Sequence, residues 1–133
     1  HFYRDLDKAE QTERIVKGMK NPHVNILAHP TGRIIGKRTE MEMDLEKIMK
    51  TAVEEGCFLE INASPKRLDL SDKYCRLAKD LGLKLVISTD AHSVEQLDNM
   101  SYGVEQARRG WLTADDIINT RDVQGLKKLL DRE

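Results

Sequence analysis

The feature that most constrains this chain is a repeated alternation of amphipathic helical pattern with a short apolar run, each run carrying or leading into polar, ionisable residues. Val24, Ile26, Leu27 and Ala28 end at His29-Pro30; residues 57–63 hold Phe58, Leu59 and Ile61 together with Glu60 and Asn62; residues 83–89 pass through Val86 and Ile87 to Asp90 and His92. Short apolar runs rich in β-branched residues and bounded by Gly, Pro or Ser read as strands. Residues 7–20, with Ala9, Ile15, Val16 and Met19 among charges and Asn21-Pro22 behind them, read as a helix before the first strand. Leu45, Ile48, Met49, Ala52 and Val53 follow the three-and-four spacing of an amphipathic helix, with Thr39 and Glu42 as its expected capping box and Gly56 as its stop. Ser71 is the expected cap of a third helix that presents Tyr74, Leu77, Ala78 and Leu81 and stops at Gly82. Helix and strand in this order imply right-handed crossovers and a mostly parallel sheet covered by helices, an α/β architecture.

Beyond Asp90 the pattern turns helical: a short helix from Val94, one over residues 102–109, a segment capped by Thr113 with Asp116, and a last helix over 123–130. These are expected to pack outside the sheet or seal one end. No low-complexity tract or linker interrupts the 133 residues, so residues 1–133 read as one structural unit.

Composition narrows the function classes. With 39% hydrophobic and 34% charged residues the chain is not of the disordered class. Its 22 basic and 23 acidic side chains give a net charge of -1, so any contact with nucleic acid has to come from a local basic patch. No apolar run approaches the roughly 20 residues of a membrane span. Cys57 and Cys75 match no zinc or redox spacing and sit among apolar residues, which reads as two buried free thiols in a reducing, cytoplasmic setting. The chain opens on His1 with no signal-peptide pattern, which reads as a fragment of something longer.

In parallel α/β folds reactive groups gather at the carboxyl ends of strands. His29, then Glu60 and Asn62, then Ser88, Asp90 and His92 all belong to that rim. A carboxylate and an imidazole two residues apart in extended chain point the same way, so Asp90-Ala91-His92 could grip a metal ion. The alternative for such a pair is a helix-capping aspartate beside a solvent-facing histidine. His29 on a neighbouring strand end tilts the balance toward a metal site. Alternation sets Glu60 and Asn62 opposite Leu59 and Ile61, where Glu60 could be a ligand, an acceptor behind a metal-bound histidine, or an ion-pair partner of Lys66 or Arg67; the last two roles are preferred. Arg33, with Lys37 and Arg38, would suit phosphate oxygens or be merely solvated. Trp111 and Tyr102 are expected as packing anchors, and His23 lies at the wrong end of its strand.

Leu27-Ala28-His29-Pro30-Thr31-Gly32-Arg33, Glu60-Ile61-Asn62-Ala63 with Arg67-Leu68-Asp69-Leu70, Ile87-Ser88-Thr89-Asp90-Ala91-His92, and Tyr102-Gly103-Val104 with Ala107-Arg108-Arg109-Gly110-Trp111 together resemble the PHP (polymerase and histidinol phosphatase) domain of bacterial and archaeal family X DNA polymerases. The resemblance runs from His1 to about Leu130. It implies the C-terminal half of a distorted (β/α)7 barrel whose strand ends bind up to three divalent ions, Mn or Zn, through His, Asp and Glu ligands. His29, Asp90 and His92 match ligand positions, and His1 matches another by spacing, although Phe2-Tyr3-Arg4 replaces the usual residues after it. The remaining ligands of the family lie upstream of His1. The implied activity is metal-assisted hydrolysis of DNA phosphodiesters, a 3′-to-5′ exonuclease or end-processing module alongside polymerase domains. Arg33 would contact phosphate, Arg108 and Arg109 the DNA backbone, and Glu60 and Asn62 would support the ligands. Competing readings are a small-molecule phosphomonoesterase of the histidinol phosphatase type and a structural module without turnover. Half a barrel exposes a strand edge, which predicts self-association.

Overall fold

The structure is a computed structural model that describes residues 4–132. Five helices, α1 (Lys8–Met19), α2 (Leu45–Glu55), α3 (Asp72–Asp80), α4 (Met100–Arg109) and α5 (Val123–Leu130), accompany three strands, β1 (Ile26–Leu27), β2 (Phe58–Asn62) and β3 (Leu85–Ser88). The strands form one parallel sheet in the order β1-β2-β3, with Leu27 beside Leu59, Leu59 beside Leu85 and Asn62 beside Ser88. The α/β expectation holds in element order and in strand direction.

The boundaries follow from local chemistry. Asp7 caps α1 by accepting from the Glu10 N–H at 2.8 Å. α2 departs from the expected capping box: its cap is Asp44, which accepts from the Lys47 N–H, and Thr39 and Glu42 lie in the irregular stretch before it. Both Asp44 and Thr39 carry cap-forming oxygens, and the one adjacent to the first buried position, Leu45, wins. Gly56 ends α2 at φ 73°, a left-handed turn that glycine enters without the steric cost of a Cβ. Ser71 precedes α3 and its carbonyl accepts the Cys75 N–H at 3.0 Å, but its side chain makes no capping bond; the hydroxyl is buried and unpartnered. The expected pairing of Thr113 with Asp116 is present, with the Thr113 N–H donating to the Asp116 carboxylate at 2.8 Å. β1 is shorter than its apolar run suggests, because only Ile26 and Leu27 find partners on β2.

The two faces of the sheet differ. Leu59, Ile61, Leu85 and Ile87 enter the main core with Ile48, Met49 and Ala52 of α2, Cys75 and Ala78 of α3, and Ala107 of α4. On the other face Phe58 and Val86 pack with Ile118 and, from α5, Leu126, Leu129 and Leu130. Alternation then sets Glu60, Asn62 and Ser88 further along that second face, at the carboxyl ends of their strands. Every residue of β2 is buried, as befits a central strand covered on both sides.

The thiols of Cys57 and Cys75 are buried and free, as expected, and burial pushes the Cys75 thiol up to about 12. The two presumed aromatic anchors are not core residues: Trp111 is 71% exposed with the Arg76 guanidinium over its ring, and Tyr102 is 45% exposed. Their places in the core are taken by the neighbours Leu112 and Gly103.

Candidate functional site at the strand ends

The loop after β1 brings His29, half buried, to the rim; its backbone has φ 30°, while Asp90, after β3, has φ 52°. Left-handed φ is uncommon for residues other than glycine but tolerated by His and Asp, and both strands turn sharply at these positions. Between them lies the Glu60 carboxylate, 6% exposed. One of its oxygens accepts a short hydrogen bond from the Ser88 hydroxyl; the other accepts the His29 N–H at 2.6 Å and the Asn62 amide at 3.4 Å. The same Asn62 amide donates to Asp90 Oδ2 at 3.1 Å. The three strand ends are thereby tied through one buried carboxylate and one buried amide.

The hydrogen bonds of Glu60 run to His29, Asn62 and Ser88. The physical reason is register: Asn62 and Ser88 share its face of the sheet, whereas Lys66 and Arg67 sit on the turn beyond β2. Glu60 and Asn62 thus bond to groups at the His29 and Asp90 strand ends.

His92 is exposed, and its Nδ1 lies 2.7 Å from the Asp90 carbonyl oxygen. A carbonyl only accepts, so Nδ1 carries a proton, and in the neutral ring the lone pair is on Nε2. That is the tautomer of a metal-binding histidine held by its second nitrogen. Donor by donor, an imidazole at His29 and the Asp90-His92 pair suit a divalent cation. As a set they fall short: among the described residues no group of three or more His, Cys, Asp and Glu side chains is arranged to hold one. His29 borders a hollow with Arg14, Met19 and Met41, whereas Asp90 and His92 line a separate cleft of about 400 Å³ with Ser64, Lys66, Arg67 and Gln96. His1 lies outside the described residues.

Arg33 is a staple of the loop. Its guanidinium donates to the backbone carbonyls of Arg67 and Leu68 and lies 3.9 Å from the Glu40 carboxylate. Arg108 and Arg109 are both exposed near the end of α4 but border different hollows: Arg108 with Val104 and Leu112, Arg109 with Arg76 and Trp111. The sequence reading gave no role to Asp69, which the structure buries completely beneath the His29 loop, where its carboxylate accepts the N–H groups of Thr31 and Gly32 at 3.0–3.2 Å. A carboxylate flanked by Leu68 and Leu70 was the available signal. Desolvation is the largest influence on it and holds its pKa above the usual carboxylate value.

No family model matches the chain. Over 120 residues, 90% of the chain, it is 41% identical to a Bacillus subtilis protein named DNA polymerase/3'-5' exonuclease PolX. It is also 31% identical over 93% of its length to a probable phosphatase of Thermoanaerobacter sp. strain X514, and 25% identical over 98% to one of Vibrio parahaemolyticus. The chain spans 21% of the B. subtilis relative and 50% and 53% of the two phosphatases.

Proposed function

We propose that this chain, 41% identical over 90% of its length to the B. subtilis DNA polymerase/3'-5' exonuclease, is part of the PHP domain of a family X DNA polymerase, a metal-dependent phosphoesterase module that hydrolyses DNA phosphodiesters in a 3′-to-5′ exonuclease or end-processing step. The observation that carries this reading is the Glu60-Asn62 pair joining the His29 and Asp90 strand ends. A buried carboxylate spent entirely on orienting polar residues at a rim is costly for a purely structural sheet and useful for a site that must hold its geometry. The fold supports it as well, since one face of the parallel sheet is apolar at one end and polar at the other, as the inner wall of half a PHP barrel would be.

In this reading His29, Asp90 and His92, with His1, supply part of a donor set that other segments of a longer polypeptide complete. Bound divalent cations, Mn or Zn, would supply charge neutralisation at the phosphoryl oxygens and a lower pKa for the attacking water. Glu60 fixes the His29 backbone, Asn62 aims the Asp90 carboxylate, and Asp69 holds the Thr31-Gly32 turn. Arg33 acts by shaping that loop, with Arg108 and Arg109 as contacts to the DNA backbone through the full-length polymerase.

The test is Mn²⁺-dependent release of nucleotide from a 3′-labelled DNA strand, measured on the longer polypeptide and on its His29→Ala and Asp90→Ala variants. Loss of at least about 100-fold in either variant is expected, the scale typical of residues that hold or support a catalytic metal. Unchanged rates in both would sink the assignment. The relatives named as probable phosphatases favour a second reading, hydrolysis of a small phosphomonoester. Release of phosphate from such an ester without action on the labelled strand would select it. Absence of both activities in a metal-loaded protein would leave a structural module.

A further inference from the structure

Resting on the DNA reading above but on a separate surface, we propose that Trp111 is a stacking platform for one base of a single DNA strand and that Arg109 takes the phosphate beside it. The surface belongs to the helical layer. Helices α3 and α4 cover the face of the sheet opposite Glu60, Asn62 and Ser88, and a hollow between α3 and the end of α4 is lined by Asp72, Lys73, Arg76, Arg109 and Trp111. It shares no lining residue with the hollows at His29 and at Asp90 and His92.

The backbone holds the ring there in a disfavoured conformation. Helix α4 ends in a Schellman turn, in which the Leu112 N–H donates to the Ala107 carbonyl at 3.0 Å and the Trp111 N–H to the Arg108 carbonyl at 2.9 Å. Trp111 occupies the left-handed position of that turn at φ 65°, a place that favours glycine and that a bulky side chain rarely takes. The glycine stands one residue earlier, at Gly110, because a Cβ there would lie 2.5 Å from the Cys75 Cβ. Lys79 Nζ donates to the Trp111 carbonyl at 3.0 Å, so the turn is fastened to α3 as well. The ring contributes nothing to the core, where Leu112 sits instead, and is 71% exposed. A strained backbone that presents an exposed ring points to a ligand for that ring.

One face of the ring is taken. The Arg76 guanidinium lies over it, 4.9 Å from the centroid, and is held by the Asp80 carboxylate at 3.2 Å. The opposite face is left for a second planar group. Around the ring the charges leave a positive surface: Arg76 is paired with Asp80 and Lys79 with Asp116, while Lys73, its ammonium over the Tyr74 ring, and Arg109 stand against Asp72 alone. Arg109 is exposed, and its guanidinium has no partner among the described residues. Apart from the ring every lining residue is charged, so the surface lacks the apolar core of a protein interface. A nucleotide needs only what is present, a flat face for its base and a cation for its phosphate. The hollow, about 310 Å³, is of small-ligand size. Duplex DNA keeps its base faces stacked on one another, so this geometry selects a single strand.

Trp111 is the one tryptophan in the sequence, so intrinsic fluorescence reports on this site alone. The experiment is a fluorescence titration of the chain, in EDTA, with a thymidine octanucleotide, a blunt mixed-sequence duplex, thymidine 5′-monophosphate and inorganic phosphate. Saturable quenching by the strand is expected, with none by the duplex or by phosphate. In anisotropy of a labelled octanucleotide, Trp111→Gly, which suits the left-handed turn and keeps the fold, should weaken binding about fivefold or more, the scale of one base stacked on an aromatic ring. Trp111→Phe should restore most of the affinity, Arg109→Ala should lower it and flatten its salt dependence, and Lys50→Ala on α2 should change nothing. No quenching by the strand, equal affinity in Trp111→Gly, or a monophosphate bound as tightly as the strand overturns the proposal. Shielding of Trp111 from oxidative footprinting in the longer polypeptide without DNA also overturns it and marks a protein interface instead. Hydrolysis assays separate the two levels. Strand binding at Trp111 in a protein that hydrolyses no ester keeps the platform and removes the phosphoesterase; hydrolysis with equal strand affinity in Trp111→Gly does the reverse.

Discussion

Asp69 shows how one side chain sets the geometry of the rim without belonging to it. Its carboxylate is the partner of two buried N–H groups in the Thr31-Gly32 turn. Asp69→Ala leaves both unpaired, so a loss of about 2–4 kcal/mol in urea unfolding is expected, against a smaller loss in Asp69→Asn, which keeps an accepting oxygen. The pH dependence has a definite sign. Because desolvation raises the native pKa above 3.8, the folded state holds this proton to higher pH than the unfolded state does. Stability contributed here is therefore present at low pH and falls as pH rises through the raised value. Asp69→Asn should flatten that part of a stability-against-pH curve, and an identical curve in both proteins would show that the carboxylate does not titrate there. At His92 the same scale of reasoning fixes a tautomer, because the Asp90 carbonyl leaves Nδ1 only the role of donor.

Among the elements, β3 and α4 carry the clearest constraints. The outer edge of β3 is closed by side chain rather than by a further long strand: Asn119 accepts the Ile87 N–H at 3.1 Å and donates to the Ile87 carbonyl at 2.7 Å, beside a single parallel bridge from Leu85 to Ile117. Asn119→Ala should cost about 1–3 kcal/mol and expose Ile87 to amide hydrogen exchange; unchanged protection at Ile87 would count against this account. α4 crosses the sheet closely because Gly103 has no side chain. A Cβ there would stand 2.5 Å from the Ile87 Cγ2 and 2.8 Å from the Ala63 Cβ. Gly103→Ala should destabilise by about 1–3 kcal/mol through this overpacking, although alanine is the better helix former. Thermal unfolding of the variant tests it, and an unchanged or higher Tm would refute it.

At the scale of the whole molecule, Arg132 ties the end of the chain to its beginning. Its guanidinium donates to the carbonyls of Met19, Asn21, Val24 and Glu55, with the Glu55 carboxylate 3.6 Å away. Arg132→Ala should cost about 2–3 kcal/mol and loosen α1 and β1 ahead of the rest, read as early hydrogen exchange in residues 19–27. β1 is the open side of the sheet, paired only to β2, with Ile26 39% exposed. If the sheet is half of a barrel, this edge is where a further strand would add, so the isolated chain is proposed to self-associate through it. Light scattering at rising concentration should show a dimer that a charged substitution, Ile26→Lys, disperses; a monomer at all concentrations would reject this. No helix among the described residues is long and apolar enough to cross a membrane.

Helix and strand order, the parallel sheet and the rim residues His29, Glu60, Asn62, Asp90 and His92 were legible from the residues alone, because periodicity and the alternation of faces are properties of neighbouring positions. Near misses came where several local signals competed, as with Thr39 and Asp44 for the cap of α2. What only the tertiary structure decided involves partners far apart in the chain: the hold of Asp69 on Thr31 and Gly32, the spending of Arg33 on the Arg67 and Leu68 carbonyls, and the exposure of Trp111. A sequence pattern records which groups a residue offers. Which of them is consumed within the fold, as at Arg33, is fixed only when the loops after β1, β2 and β3 meet.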